Sequence, residues 1–315
     1  MKAVVIGGCG HIGTYLVPRL VKAGYQVVSV TRGQSKPYLP SHAWDEVENV
    51  ILDREEEEKD GTFAKKIAAM NADVVIDLIT FKAESTYQMV EALKGTNLSH
   101  YLFCASIWAH GHATIVPAPE DLPRHPLEDY GINKAKSEAY LHEQYRKDGF
   151  PETVVMPGHG WNCINPTGNL DPLVFQKIGR GEGIVLPNMG METVHHVHAD
   201  DVAQVFMNAI CCRGQALGES FHAVAPYAMT LLGFAEAMYA WFGKQPDISF
   251  LPWKEWCEYT AVDSFINSTW SHVTHSDNYS IEKGKKLINY NPRYTILQAV
   301  EESVNSMLER GVITV

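Results

Sequence analysis

The run Gly7-Gly8-Cys9-Gly10-His11-Ile12-Gly13, set directly behind the apolar stretch Ala3-Val4-Val5-Ile6, is the strongest constraint on the fold. Glycines at positions 7, 10 and 13 let the main chain pass tightly from a buried strand into a helix. The N–H groups that open that helix, beginning at His11 and Ile12, are then directed at a pyrophosphate. A first strand that feeds a helix in this way must have parallel neighbours, so the segments that follow are read as a β-α-β series.

They fit. Residues 12–23 form a helix closed by Gly24, residues 26–30 the second strand and residues 50–52 a short third. Helices at 63–70 and 85–93 alternate with strands at 72–79 and 100–105, and Val74-Val75-Ile76 is apolar on both faces, as in a parallel strand covered by helices. The order predicts an α/β Rossmann domain, a doubly wound parallel sheet with ligands at the carboxyl ends of its strands, over residues 1–157. Beyond Pro157 the pattern loosens into Gly- and Pro-rich loops and a tryptophan-bearing stretch. Residues 158–315 are therefore expected to be mainly a smaller substrate-binding lobe, interleaved with the sheet domain through a return to the sheet at about 191–212.

Composition narrows the partners. A formal charge of −11 argues against nucleic acid or an anionic membrane as the main partner, since both need a basic surface. The acidic run Arg54-Glu55-Glu56-Glu57-Glu58-Lys59-Asp60 is expected to be a solvated surface segment leading into the next helix. No run approaches 18 apolar residues, the start lacks a signal-peptide pattern, and six scattered cysteines suit a reducing compartment. A cytoplasmic protein without disulfides or a metal site is expected, with a small molecule as its partner.

The chemistry is read from Tyr130-Gly131-Ile132-Asn133-Lys134 and from Ser106, which ends the fifth strand. Lys134 lies one helical turn beyond Tyr130, on the same face, where its ammonium, with the positive nicotinamide of an oxidised cofactor, would lower the phenol's pKa from about 10 toward the working pH. Tyr130 would exchange a proton with a substrate hydroxyl or carbonyl while Ser106 holds the same oxygen. The spacing recurs at Tyr279-Ser280-Ile281-Glu282-Lys283, which is expected to be helix-surface packing because no Ser-ended strand precedes it.

These features resemble the extended short-chain dehydrogenase/reductases of the NAD-dependent epimerase/dehydratase group, over nearly the whole chain. The resemblance rests on the glycine turn, Asp73-Val74-Val75-Ile76-Asp77-Leu78, Cys104-Ala105-Ser106-Ile107-Trp108, and the Tyr130–Lys134 helix with Glu138. It rests also on Arg180-Gly181-Glu182-Gly183, Val197-His198-Ala199-Asp200-Asp201 and Leu287-Ile288-Asn289-Tyr290-Asn291-Pro292. It implies Ser106, Tyr130 and Lys134 as the catalytic group, and a homodimer packed through the helices at 85–93 and 130–145.

Details separate this chain from its group. The second strand ends in Thr31-Arg32-Gly33 with no acid to hold a ribose 2′-hydroxyl, so Arg32 is expected to pair with a 2′-phosphate, favouring NADP with NAD as the alternative. Asp53 and Arg54 are placed near the adenine, Thr80 near the nicotinamide ribose, and Pro157 beside the cofactor. Ile107-Trp108 stands where sugar dehydratases carry Asp-Glu, which argues against dehydration. Between Arg213 and Lys283 only Lys244 and Lys254 are cationic, too few for a nucleotide-sugar pyrophosphate. Trp108, His110, His159, Trp161 and Asn165 are the candidate substrate contacts. The reading is an NAD(P)-dependent oxidoreductase or epimerase for a small, weakly charged alcohol or ketone. A nucleotide-sugar epimerase with tightly bound NAD, suggested by Asn165-Pro166-Thr167-Gly168, and a non-catalytic dinucleotide-sensing or RNA-binding protein are the alternatives.

Overall fold

The computed structural model describes residues 1–161 and 172–315. The first half runs β1 (Lys2–Ile6), α1 (His11–Lys22), β2 (Gln26–Thr31), β3 (Glu48–Ile51), α2 (Arg54–Lys59), α3 (Phe63–Ala69), β4 (Val74–Asp77), α4 (Ala83–Leu93), β5 (His100–Cys104), α5 (Asp129–Asp148) and β6 (Glu152–Pro157). The second half adds β7 (His159–Trp161), α6 (Pro172–Gly179), β8 (Ile184–Pro187), β9 (Thr193–Val194), β10 (His196–His198), α7 (Ala199–Cys211), α8 (Arg213–Ala216) and β11 (Ser220–Ala223). It closes with β12 (Met229–Thr230), α9 (Leu231–Trp241), β13 (Ile248–Leu251), α10 (Trp253–Thr260), α11 (Asp263–Val273), α12 (Glu282–Ile288) and α13 (Ile296–Glu309).

Seven parallel strands form the central sheet in the order β11-β6-β5-β4-β1-β2-β3. The order reverses beside β1, whose Val4 pairs with Val28 of β2 on one side and Val75 of β4 on the other. The crevice at such a switch point is where doubly wound sheets take their ligands. Val4, Val5, Ile76, Leu102 and Val154 are fully buried, as strands covered on both faces must be. A second apolar cluster, built on Phe175, Phe234, Met238, Ile296 and Val300, packs α6, α9 and α13 together. Among the described residues no helix is long and apolar enough to cross a membrane.

Three local expectations are corrected. The seventh strand comes from Ser220–Ala223, while the 191–212 stretch supplies two short ribbons and α7, which packs against α1. The acidic run is itself a helix, α2, capped by Asp53, and its Arg54 is buried against Asp77 rather than solvated. Tyr279 precedes α12 and is 1% exposed, because its ring packs on His110 and His222. A charge pattern shows which residues prefer water, not which one meets a buried partner.

Candidate active site

The glycine turn leaves β1 with Gly7 at φ +88°, and Gly10 caps α1 without a side chain. The first helical hydrogen bond is Thr14 N–H to Gly10 O (2.9 Å), so the helix ladder does not consume the main-chain donors of Ile12 and Gly13. A Cβ on Gly13 would stand 2.1 Å from the Gly8 carbonyl oxygen, so only glycine lets helix and turn approach this closely. His11 turns its ring edge-on to Tyr38 at 5.0 Å. These residues fit a dinucleotide's pyrophosphate, a negative group at an uncapped helix N-terminus.

A cavity of about 820 Å³ continues from the ends of β1 to β4, lined by Thr31, Arg32, Leu52, Arg54, Phe81 and Lys82 among others. Arg32 is exposed there and has no ion-pair partner among the described residues. Asp53 spends one carboxylate oxygen on the N–H groups of Glu55 and Glu56 (3.0 and 3.3 Å). Arg54, 7% exposed, donates to Asp77 (2.8 Å) and Glu58 (2.6 Å). Burial works against both charges of the Arg54–Asp77 pair, but their attraction prevails and holds the guanidinium above and the carboxyl below their ordinary values. Arg54 therefore enters the cavity wall with its charge already balanced.

At the ends of β4 and β5 the three candidate catalytic residues converge. Ser106 caps a short 3₁₀ turn (Ile107–Ala109), accepting from Trp108 N–H at 3.2 Å, and its hydroxyl is near enough to the Tyr130 phenol to favour the phenolate. Tyr130, in the first turn of α5, is 36% exposed. Lys134 is 2% exposed and donates to the carbonyls of Thr80 and Cys104, both at 2.6 Å, with its ammonium 5.5 Å from the Tyr130 ring centre. The expected lowering of the phenol's pKa depends on the positive charge of an oxidised nicotinamide as well as on Lys134. Burial pushes Tyr130 up to about 12, with Ser106 opposing, and burial likewise lowers Lys134. Phe81, 60% exposed, leans on Tyr130 at 6.3 Å between the cavity and the phenol, a neighbour that no motif announced.

Trp108 meets Tyr130 edge-on (5.9 Å), stacks on His275 (4.7 Å), and donates its indole N–H to His159 Nε2 (3.0 Å). His272 lies 4.6 Å from His159 and 5.1 Å from Trp108. Burial lowers all three imidazoles: His159 well below its ordinary value, His272 to about 4, and His275 also below. The wall beside Tyr130 is thus aromatic and uncharged at neutral pH. Sequence placed Trp108 and His159 here; His272 and His275, from α11 and its end, arrive only through folding. His110 is enclosed instead, held by His222 and Arg124, so the structure gives it a place beneath the turn and not in an open wall. Pro157 ends β6, Trp161 ends β7, and Asn165 lies outside the described residues. Among the described residues no three metal-binding side chains cluster.

A glycine turn at the switch point and a Ser-Tyr-Lys group at the neighbouring strand ends belong to one class: NAD(P)-dependent oxidoreductases and epimerases of the extended short-chain dehydrogenase type. The family model for the NAD dependent epimerase/dehydratase family matches residues 3–221. The chloroplast stem-loop binding protein of 41 kDa b from Arabidopsis thaliana is 25% identical over 98% of this chain and 80% of its own. A 2′-dehydrokanamycin reductase from Streptomyces kanamyceticus is 32% identical over 64% of this chain and 55% of its own. The UDP-glucuronic acid 4-epimerase from Bacillus cereus, solved with UDP-glucuronic acid and NAD, shares the fold at TM-score 0.76 and 18% identity, covering 98% of this chain and all of that one. The chain belongs to the NAD dependent epimerase/dehydratase family.

Proposed function

We propose that the protein is an NADP-linked oxidoreductase acting at a secondary alcohol or ketone carbon of a small, weakly charged substrate. The observation that carries this reading is the convergence of Ser106, at the end of β5, with Tyr130 and with Lys134 one turn along α5, its ammonium 5.5 Å from the Tyr130 ring centre. Gly7, Gly10, His11, Ile12 and Gly13 would hold the pyrophosphate, Arg32 the 2′-phosphate, Asp53 and Arg54 the adenosine side, and Thr80 and Pro157 the nicotinamide end. A nicotinamide cofactor, when bound, supplies or accepts the hydride. Tyr130 gives or takes the proton at the substrate oxygen, and Ser106 orients that oxygen. Lys134 has two of its three donors on carbonyls, leaving one for the cofactor side. The neutral wall of Trp108, His159, His272 and His275 supports an uncharged substrate. Trp161 and Asn165 are further substrate contacts in this reading. Family membership further suggests a homodimer packed through α4 and α5, in the cytoplasm; a monomer mass by light scattering at micromolar concentration counts against the dimer.

Following NADPH oxidation against a panel of uncharged ketones tests the reading; no turnover across the panel defeats it. The several UDP-glucose 4-epimerases among the relatives, such as that of Lactobacillus helveticus (25% identical over 49% of this chain), favour a second reading, an epimerase that keeps NAD. Stoichiometric NAD released from the purified protein, found by mass spectrometry, would select it. The stem-loop binding relative raises an RNA-binding reading, against which the charge of −11 counts.

A further inference from the structure

We propose that Arg124 is a positioning residue for the catalytic group: it sets Ser106 against Tyr130 by gripping His110 on one side and Glu138 on the other. The inference rests on the catalytic roles given above. Arg124 lies in the irregular stretch between the Ser106 turn and α5.

All five guanidinium N–H donors of Arg124 have acceptors. Nε and Nη2 fork onto the two oxygens of Glu138 (2.7 and 2.6 Å), and the second Nη2 proton faces Met156 Sδ (3.8 Å). Nη1 donates to His110 Nδ1 (3.1 Å) and to the Leu122 carbonyl. A planar fork saturated in this way has one orientation. Glu138 lies on α5 one turn beyond Lys134 and two beyond Tyr130, so the carboxylate grip fixes the helix face that carries both.

The other grip has a fixed direction at every step. Arginine only donates, so His110 Nδ1 must accept and its proton sits on Nε2. That proton goes to His222 Nε2 (2.8 Å), which puts the proton of His222 on Nδ1, donated to the Ser280 carbonyl (2.8 Å). Both rings are neutral, in keeping with the burial that pushes His110 down to about 3 and His222 well below its ordinary value. His110 also closes the 3₁₀ turn that Ser106 opens, through His110 N–H to Ile107 O (3.0 Å). One guanidinium plane therefore joins the turn bearing Ser106 and Trp108 to the helix bearing Tyr130 and Lys134.

A double-mutant cycle separates positioning from plain structural support. Lysine keeps a charge for Glu138 but cannot span both grips, so Arg124→Lys is expected to lower kcat about 30-fold with NADPH affinity and KM within about twofold. In a Ser106→Ala background the same change should cost about threefold or less, since the register it sets is already lost. Equal losses in both backgrounds overturn the proposal. A readout without turnover is the ¹³Cζ resonance of Tyr130 at neutral pH, which reports the surroundings of its hydroxyl, Ser106 among them. Arg124→Lys should move it in the same direction as Ser106→Ala, and an unmoved resonance overturns the proposal even if no ketone is ever reduced. Should the variant not fold, ¹⁵N NMR of the unmodified protein decides: His110 protonated on Nε2 and His222 on Nδ1 are expected, and the reverse tautomers or an imidazolium at neutral pH refute the linkage.

Discussion

The nucleotide end and the chemistry end of the site are built on opposite terms. Around the glycine turn, binding groups are left over: α1 begins without a side-chain cap, and Arg32 and Lys82 stand exposed without an ion-pair partner among the described residues. Around Tyr130 most are already engaged: Lys134 is anchored on two carbonyls with one donor left, Arg124 on five acceptors, and Trp108 on His159. The first arrangement waits for a ligand that brings its own charge. The second has paid its ordering cost in folding, which is what a group that must act on one atom requires.

The sharpest way to break this contrast is Tyr130→Phe. It should cost roughly 10²–10⁴-fold in turnover, the range of general acid–base catalysis, while NADPH affinity stays nearly unchanged because the ring still packs. Near-normal rates on a confirmed substrate would remove Tyr130 from the chemistry.

A pH experiment probes the crowded end through the support of α5. His142 contacts Glu152 (2.8 Å) and Ser220 (2.9 Å); burial opposes its charge, but Glu138 and Glu152 hold its pKa at about 9. A folded pKa above the ordinary 6.5 stabilises fully below pH 6.5, and the contribution disappears as pH rises through about 9. Wild type should lose up to about 3 kcal/mol over that window, at about 1.36 kcal/mol per pKa unit. His142→Gln should lose much less, and parallel melting curves for the two proteins between pH 6 and 10 would contradict the assignment.

At the open end the expected effect is smaller. Arg32→Asp should weaken NADPH by about 2 kcal/mol, the scale of a charged hydrogen bond, and NADH far less. Equal losses would mean that Arg32 only stacks on the adenine, and tighter NADH than NADPH binding in the unmodified protein would end the preference for NADP. Smallest is Tyr279→Phe. The buried hydroxyl donates to Asp277 (3.1 Å), so its removal should cost about 1 kcal/mol of stability with turnover unchanged. A loss of turnover without loss of stability would give the second Tyr-Lys pair a role that its burial argues against.

The glycine spacing, the strands through Cys104 and the Tyr-x-x-x-Lys helix were legible because each obeys a local rule: a turn that needs glycine, a period of two or an unbroken apolar run, one helical turn between partners. Tyr279 shows the limit of such rules. It satisfies the same spacing as Tyr130, and only the packing of His110 and His222 against its ring separates the two. Arg54 and Arg124 look alike in sequence to Arg146 or Arg213, yet both hold buried carboxylates at Asp77 and Glu138.

Sequence by itself determined the order of the strands through Cys104, the doubly wound class and the glycine turn, and it marked the candidate residues for moving a proton, since each follows from patterns within a few residues of chain. Tertiary structure alone decided that Lys134 ends on two carbonyls and that burial raises Tyr130 before any cofactor charge acts on it. It also decided that the wall beside the phenol is completed by His272 and His275, more than 130 residues downstream of Tyr130. The physical reason is that pKa values and hydrogen-bond partners depend on burial and on which distant side chains share a volume, and neither is encoded in local spacing.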